Sequence, residues 1–133
     1  MQFEPHGTTV NVSGNESTLQ ISVKLAGAQS FQFDSHLIHI NGKSTPIEPF
    51  QRYDRESKQA VSVDSSAILV GGNEQYLFGK QPLWFTAWVK FKDSVSETYS
   101  VQIPSATING ETYLFPVITF TQRSGLGFAP INC

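Results

Sequence analysis

Three observations predict an all-β fold, an immunoglobulin-like antiparallel sandwich of about eight strands. Apolar residues alternate with period 2, helical period 3.6 is nearly absent, and two Asn-Gly pairs stand between apolar runs. A small barrel is the alternative architecture. The whole chain, 1–133, reads as one domain with loosely ordered ends at 1–7 and 129–133.

The clearest strand covers 18–26, where Leu19, Ile21, Val23 and Leu25 share one face and Gln20, Ser22 and Lys24 the other. One face is core and the other wet. The next run, 31–40, begins with Phe31 and Phe33 on odd positions and ends with Ile38 and Ile40 on even ones. That change of parity predicts a bulge or a sheet switch near Ser35.

Asn41-Gly42 and Asn109-Gly110 supply the paired positive φ angles of type I′ hairpin turns. Pro46 and Pro49 follow the first, so its return strand is an edge or an irregular loop, because proline has no amide for a central ladder. Gln51 to Lys58 holds the densest charge and no apolar period, which predicts a solvated loop. Strands are expected at 59–63, 67–70, 76–78, 83–92, 97–103 and 112–121, before a glycine-rich tail at 124–128. In the last strand Tyr113, Phe115 and Val117 alternate with Leu114, Ile118 and Phe120, so both faces are apolar. A central position or a covering partner would explain that, and a structural subunit of a larger assembly is one reading.

Composition narrows the function. Nine Lys plus Arg against eleven Asp plus Glu leave a net charge of -2 and no basic footprint for a nucleic-acid backbone. Charged residues make up 15%, and Ser, Thr, Asn and Gln take up about three residues in ten, a balance common in exported β proteins. Residues 2–7 show neither the basic nor the apolar region of a signal peptide, and no apolar run reaches the length of a membrane-spanning helix. The setting expected is extracytoplasmic: periplasmic, secreted or lipoprotein-like, with the leader outside this sequence. The one thiol, Cys133, is read as an inert terminal residue.

The search for catalytic motifs is negative, and no enzyme activity or cofactor is expected. Ser124-Gly125-Leu126-Gly127 leaves the serine outside its glycines, unlike a nucleophile elbow, and Gly71-Gly72 leads into a strand instead of a phosphate-cradling helix. Asp34, His36 and His39 are the only metal-like spacing, and on a regular strand His39 points away from the other two. Asn11 and Asn15 begin Asn-x-Ser triplets, taken as chance in a serine-rich segment.

The most specific segment is 83–92. Leu83, Phe85, Ala87, Val89 and Phe91 form an apolar core face, and Trp84, Thr86, Trp88, Lys90 and Lys92 share the other side. The two indoles stand about 13 Å apart along an extended strand. Either they finish a small covered core or they form a recognition stripe, since exposed aromatic surface needs a reason. The function expected is non-enzymatic binding of another protein, through Trp84, Thr86, Trp88 and Lys90 or through the charged loop with Arg52, Asp54, Arg55 and Glu56. An inhibitor, immunity or assembly protein fits that description. The alternative is a carbohydrate-binding module using Trp84 and Trp88. Polar Asn or Gln neighbours around exposed indoles would favour sugar, and apolar neighbours beside a free strand edge would favour protein.

Overall fold

The computed structural model describes residues 1–14, 17–54, 57–76, 79–91, 98–123 and 127–130. Its first strands are β1 (Gln2–Phe3), β2 (Thr9–Gly14), β3 (Thr18–Leu25), β4 (Ser30–Phe33), β5 (Leu37–Ile40) and β6 (Lys43–Pro46). Next come β7 (Phe50–Asp54), β8 (Gln59–Val63), β9 (Leu69–Val70), β10 (Asn73–Tyr76) and β11 (Gly79–Lys90). The chain ends with β12 (Thr98–Gln102), β13 (Ala106–Ile108), β14 (Glu111–Tyr113), β15 (Ile118–Arg123) and β16 (Gly127–Pro130). A 3-10 turn at Pro5–Gly7 is the one helical element among the described residues.

Every strand pairing among them is antiparallel. A seven-stranded sheet runs β1-β2-β3-β11-β7-β8 with β10 on β11; a five-stranded sheet runs β16-β15-β12-β5-β6, and a four-stranded one β14-β13-β4-β9. The protein is thus an all-β sandwich. Its strand segments number sixteen among the described residues, against about eight expected, because glycine, proline and sheet switches divide the longer apolar runs.

The two smaller sheets are halves of one bent ribbon. The same register runs from Thr98↔Thr121 and Val101↔Ile118 in one half to Ala106↔Tyr113 and Ile108↔Glu111 in the other. Along the bend, at 34–36, 103–105 and 114–117, the inward parity changes on all three chains. Phe31 and Phe33 give way to Ile38 and Ile40, Val101 and Ile103 to Ala106 and Ile108, and Phe115 to Ile118 and Phe120, all buried. The sheet switch expected near Ser35 is therefore present, with β4 in the four-stranded half and β5 in the five-stranded one. Phe33 faces Ala106 and His39 faces Gln102, so the first chain carries two more residues than its partner across the bend. Asp34 holds that line: its N–H donates to the Ser105 carbonyl at 2.9 Å, and its carboxylate accepts Ser105 Oγ at 2.6 Å and Thr107 Oγ1 at 3.3 Å.

Between the layers lies one buried cluster. The seven-stranded sheet contributes Val10, Val12, Leu19, Ile21, Val23, Leu25, Phe50, Phe85, Ala87 and Val89 to it. Phe50 joins the layers, stacking on Phe33 at 5.9 Å and meeting Phe31 edge-on at 6.4 Å. At the other end Phe91 packs edge-on against Tyr99 at 5.4 Å, and Tyr99 stacks on Phe120.

Two segments depart from the sequence reading. The expected loop at 51–58 is largely a hairpin, in which β7 pairs with β8 from Phe50↔Val63 to Asp54↔Gln59. The strand expected over 112–121 is broken into β14 and β15 at the segment holding Pro116. Its doubly apolar pattern reflects that break: Phe115 and Ile118 are buried, whereas Leu114 and Val117 are exposed.

Candidate functional site

Alternation on β11 sends Phe85, Ala87 and Val89 into the core and leaves Trp84, Thr86, Trp88 and Lys90 on the outer face of the seven-stranded sheet. Trp84 is 42% and Trp88 38% exposed, so the indoles are not enclosed in a covered core. The register with β3 sets Lys24 opposite Trp84, Ser22 opposite Thr86, Gln20 opposite Trp88 and Thr18 opposite Lys90. Directly opposed residues of an antiparallel pair point to the same face. Beyond β3, β2 adds Thr9, Asn11 and Ser13, which face Lys24, Ser22 and Gln20.

On the other flank Gln51 faces Thr86 across β7. The same antiparallel register carries Tyr53, 60% exposed, toward Trp84. A polar band therefore crosses four strands between the two indoles. Ser22 Oγ and Thr86 Oγ1 share a hydrogen bond at 3.3 Å, Gln20 Nε2 donates to Ser22 Oγ at 3.4 Å, and Gln51 Nε2 donates to Ser62 Oγ at 3.0 Å. These side chains are exposed or half-buried, with donors and acceptors left over for a ligand. Lys24 Nζ lies 5.7 Å from the centre of the Trp84 ring, at cation–π distance.

The charged segment behaves differently. Arg52 shares its parity with buried Phe50 and turns to the core side of β7, where its guanidinium lies 6.0 Å from the Phe85 ring centre. There Arg52 Nη1 donates to Glu74 Oε1 at 2.6 Å, and both side chains are mostly covered. Asp54 closes the same strand and accepts a hydrogen bond from Ser57 Oγ at 2.9 Å. Both residues are thereby separated from the tryptophan face. Arg55, Glu56, Lys92, Asn15 and Cys133 lie outside the described residues.

The Asp34, His36 and His39 spacing does not converge. Asp34 is engaged at the bend, His39 Nε2 shares a hydrogen bond with Ser44 Oγ at 3.2 Å, and no group of three His, Cys, Asp or Glu among the described residues could hold a metal.

Sequence reasoning missed Tyr53, Gln51, Gln20, Ser22 and Lys24 as members of the tryptophan face. For the three on β3 the signal was available, since 18–26 was read with Gln20, Ser22 and Lys24 outward; only the neighbouring strand was unknown. For Gln51 and Tyr53 the signal was masked, because the inward position between them is an arginine.

No protein-family model, curated protein or solved structure matches this chain.

Proposed function

We propose that the protein is a non-enzymatic carbohydrate-binding module of the cell envelope or secreted space, with its site on the outer face of the seven-stranded sheet. The observation that carries this reading is the make-up of that face: two exposed indoles with a band of Ser, Thr and Gln side chains between them. Sugar rings present apolar C–H faces that stack on aromatic rings and hydroxyls that need donors and acceptors alternately. A protein hot spot would instead surround its indoles with apolar residues that exclude water. Here the opposed neighbours of Trp84, Thr86 and Trp88 on β3 are Lys24, Ser22 and Gln20. Among the described residues of β2, β3, β7 and β11, the charged side chains on this face are lysines, and these strands contribute no carboxylate pair for glycoside chemistry to it. An extracytoplasmic setting accords with the low charge and the abundance of Ser, Thr, Asn and Gln.

The protein-binding reading is favoured by a different place, the exposed Leu114 and Val117 at the bend of the ribbon. Affinity electrophoresis through gels containing soluble polysaccharides separates the two. Retardation by a glycan that is lost in Trp84→Ala and Trp88→Ala, each weakening Kd about tenfold or more as truncation of a hot-spot ring does, is the expected result. Unretarded migration through every polysaccharide would overturn it.

A further inference from the structure

We propose that the glycan bound on this face is acidic, a polysaccharide carrying about one carboxylate per sugar ring; the inference rests on the carbohydrate reading above. The chain as a whole is slightly acidic, with a net charge of -2, yet this face is cationic. Alternation and register place Lys24 and Lys90 there, and Lys80 continues the outward series of β11. No Asp or Glu occupies an outward position on β2, β3, β7 or β11 among the described residues. Glu4 stands at the far edge of the same sheet, its Oε1 accepting Gln2 Nε2 at 3.0 Å, so among the described residues the charge carried by these four strands themselves on this face is positive, opposite in sign to the net charge.

The lysines are also placed with respect to the indoles. Lys24 is directly opposed to Trp84 and holds its ammonium 5.7 Å from the ring centre, so an anionic group on a sugar stacked at Trp84 meets a cation already in position. Lys90 stands two residues beyond Trp88 on the same strand face, and it is exposed. Each stacking position has one ammonium beside it. That density suits a single carboxylate per ring better than a multiply sulfated chain. Among the described residues the face also has no arginine, whose planar fork is the usual partner of sulfate and phosphate groups. An exposed cation–π contact is weak enough for Lys24 to leave the ring when a ligand stacks there.

The test is affinity electrophoresis and calorimetry of the full chain with polygalacturonate, alginate, methyl-esterified polygalacturonate, a neutral xylan, heparin and a single-stranded oligothymidine. The expected result is binding to one or both polyuronates, loss on methyl esterification, and a Kd about tenfold weaker in the Lys24→Gln/Lys90→Gln double variant or at high salt. Equal, salt-independent binding of the esterified or neutral polymer would overturn the acidic assignment and leave the carbohydrate reading standing. Binding of no polysaccharide would overturn both. Preference for heparin or oligothymidine, or polyuronate binding that survives Trp84→Ala/Trp88→Ala, would show attraction by charge without stacking and would also overturn the assignment. Circular dichroism of each variant confirms that the sheet is intact before its affinity is read.

Discussion

Trp88 and Phe85 stand three positions apart on one strand and have opposite energetic roles. Phe85 is 4% exposed within the core, and Trp88 is 38% exposed above a polar sheet face. Truncating the buried ring removes its transfer free energy and leaves a cavity, about 3–5 kcal/mol, whereas the partly covered indole loses only the packing of its covered part and leaves no enclosed cavity. Phe85→Ala is therefore expected to lower Tm by about 10 °C or more, and Trp88→Ala by about half as much. Thermal unfolding followed by circular dichroism reads both, and a loss in Trp88→Ala as large as that in Phe85→Ala would return the indole to a structural role. In the native protein the tryptophan emission should be red-shifted and readily quenched by acrylamide. Arg52 shows the converse at the same scale: a charged residue whose stem and guanidinium cover Phe85 while Glu74 neutralises it.

The two Asn-Gly turns work harder at the level of elements than turn propensity requires. Asn41 and Gly42 have φ of 51° and 78°, Asn109 and Gly110 of 52° and 85°, as a type I′ turn demands. Each asparagine also extends the ladder of the neighbouring strand. The Asn41 N–H donates to the Ser100 carbonyl and its Oδ1 accepts the Ser100 N–H, both at 2.9 Å. Asn109 makes the same pair with Ser30, at 3.0 and 2.8 Å. Since Ser30 and Asn41 bracket one chain of the bent ribbon and Ser100 and Asn109 the other, the ribbon is locked at both ends by a two-fold-like exchange. Asn109→Gly keeps the positive φ and loses the side-chain acceptor together with the long Nδ2 contact to Thr8 Oγ1 at 3.5 Å, about 1 kcal/mol, whereas Asn109→Ala also adopts an unfavourable backbone region and should lose about 2 kcal/mol. Urea midpoints that rank wild type above Asn109→Gly above Asn109→Ala would support this account. An unchanged midpoint in Asn109→Gly would remove the ladder role.

For the whole molecule, one buried phenol links stability to alkaline pH. Tyr99 is 1% exposed, its hydroxyl only 2.6 Å from where a Cβ on Gly14 would lie, and burial pushes its pKa up to about 12. Below the ordinary pKa of about 10, folded and unfolded chains both hold the proton, so stability is independent of this group. Between about 10 and 12 the unfolded chain releases the proton and the folded one keeps it, so stability falls as pH rises. Denaturation midpoints measured from neutral to strongly alkaline pH should show a drop above about pH 10 that is shallower in Tyr99→Phe. Identical profiles for the two proteins would mean that the phenol is free to ionise in the folded state.

What the sequence determined by itself was everything governed by neighbours along the chain. The inward and outward faces of β3 and β11, the two type I′ turns and the change of parity at Ser35 all follow from period 2 and from which residues tolerate positive φ. Pro46 likewise confined β6 to a sheet edge. The tertiary structure alone decided which strands lie side by side. Placing β3 and β7 against β11 brought Lys24, Ser22, Gln20, Gln51 and Tyr53 around the tryptophans. Arg52 was read as solvated because an isolated residue carries no sign that Glu74 and Phe85 will meet it. Sheet pairing is made by backbone groups that are the same at every residue, so the choice of partner strand is settled only when distant apolar faces close on one core.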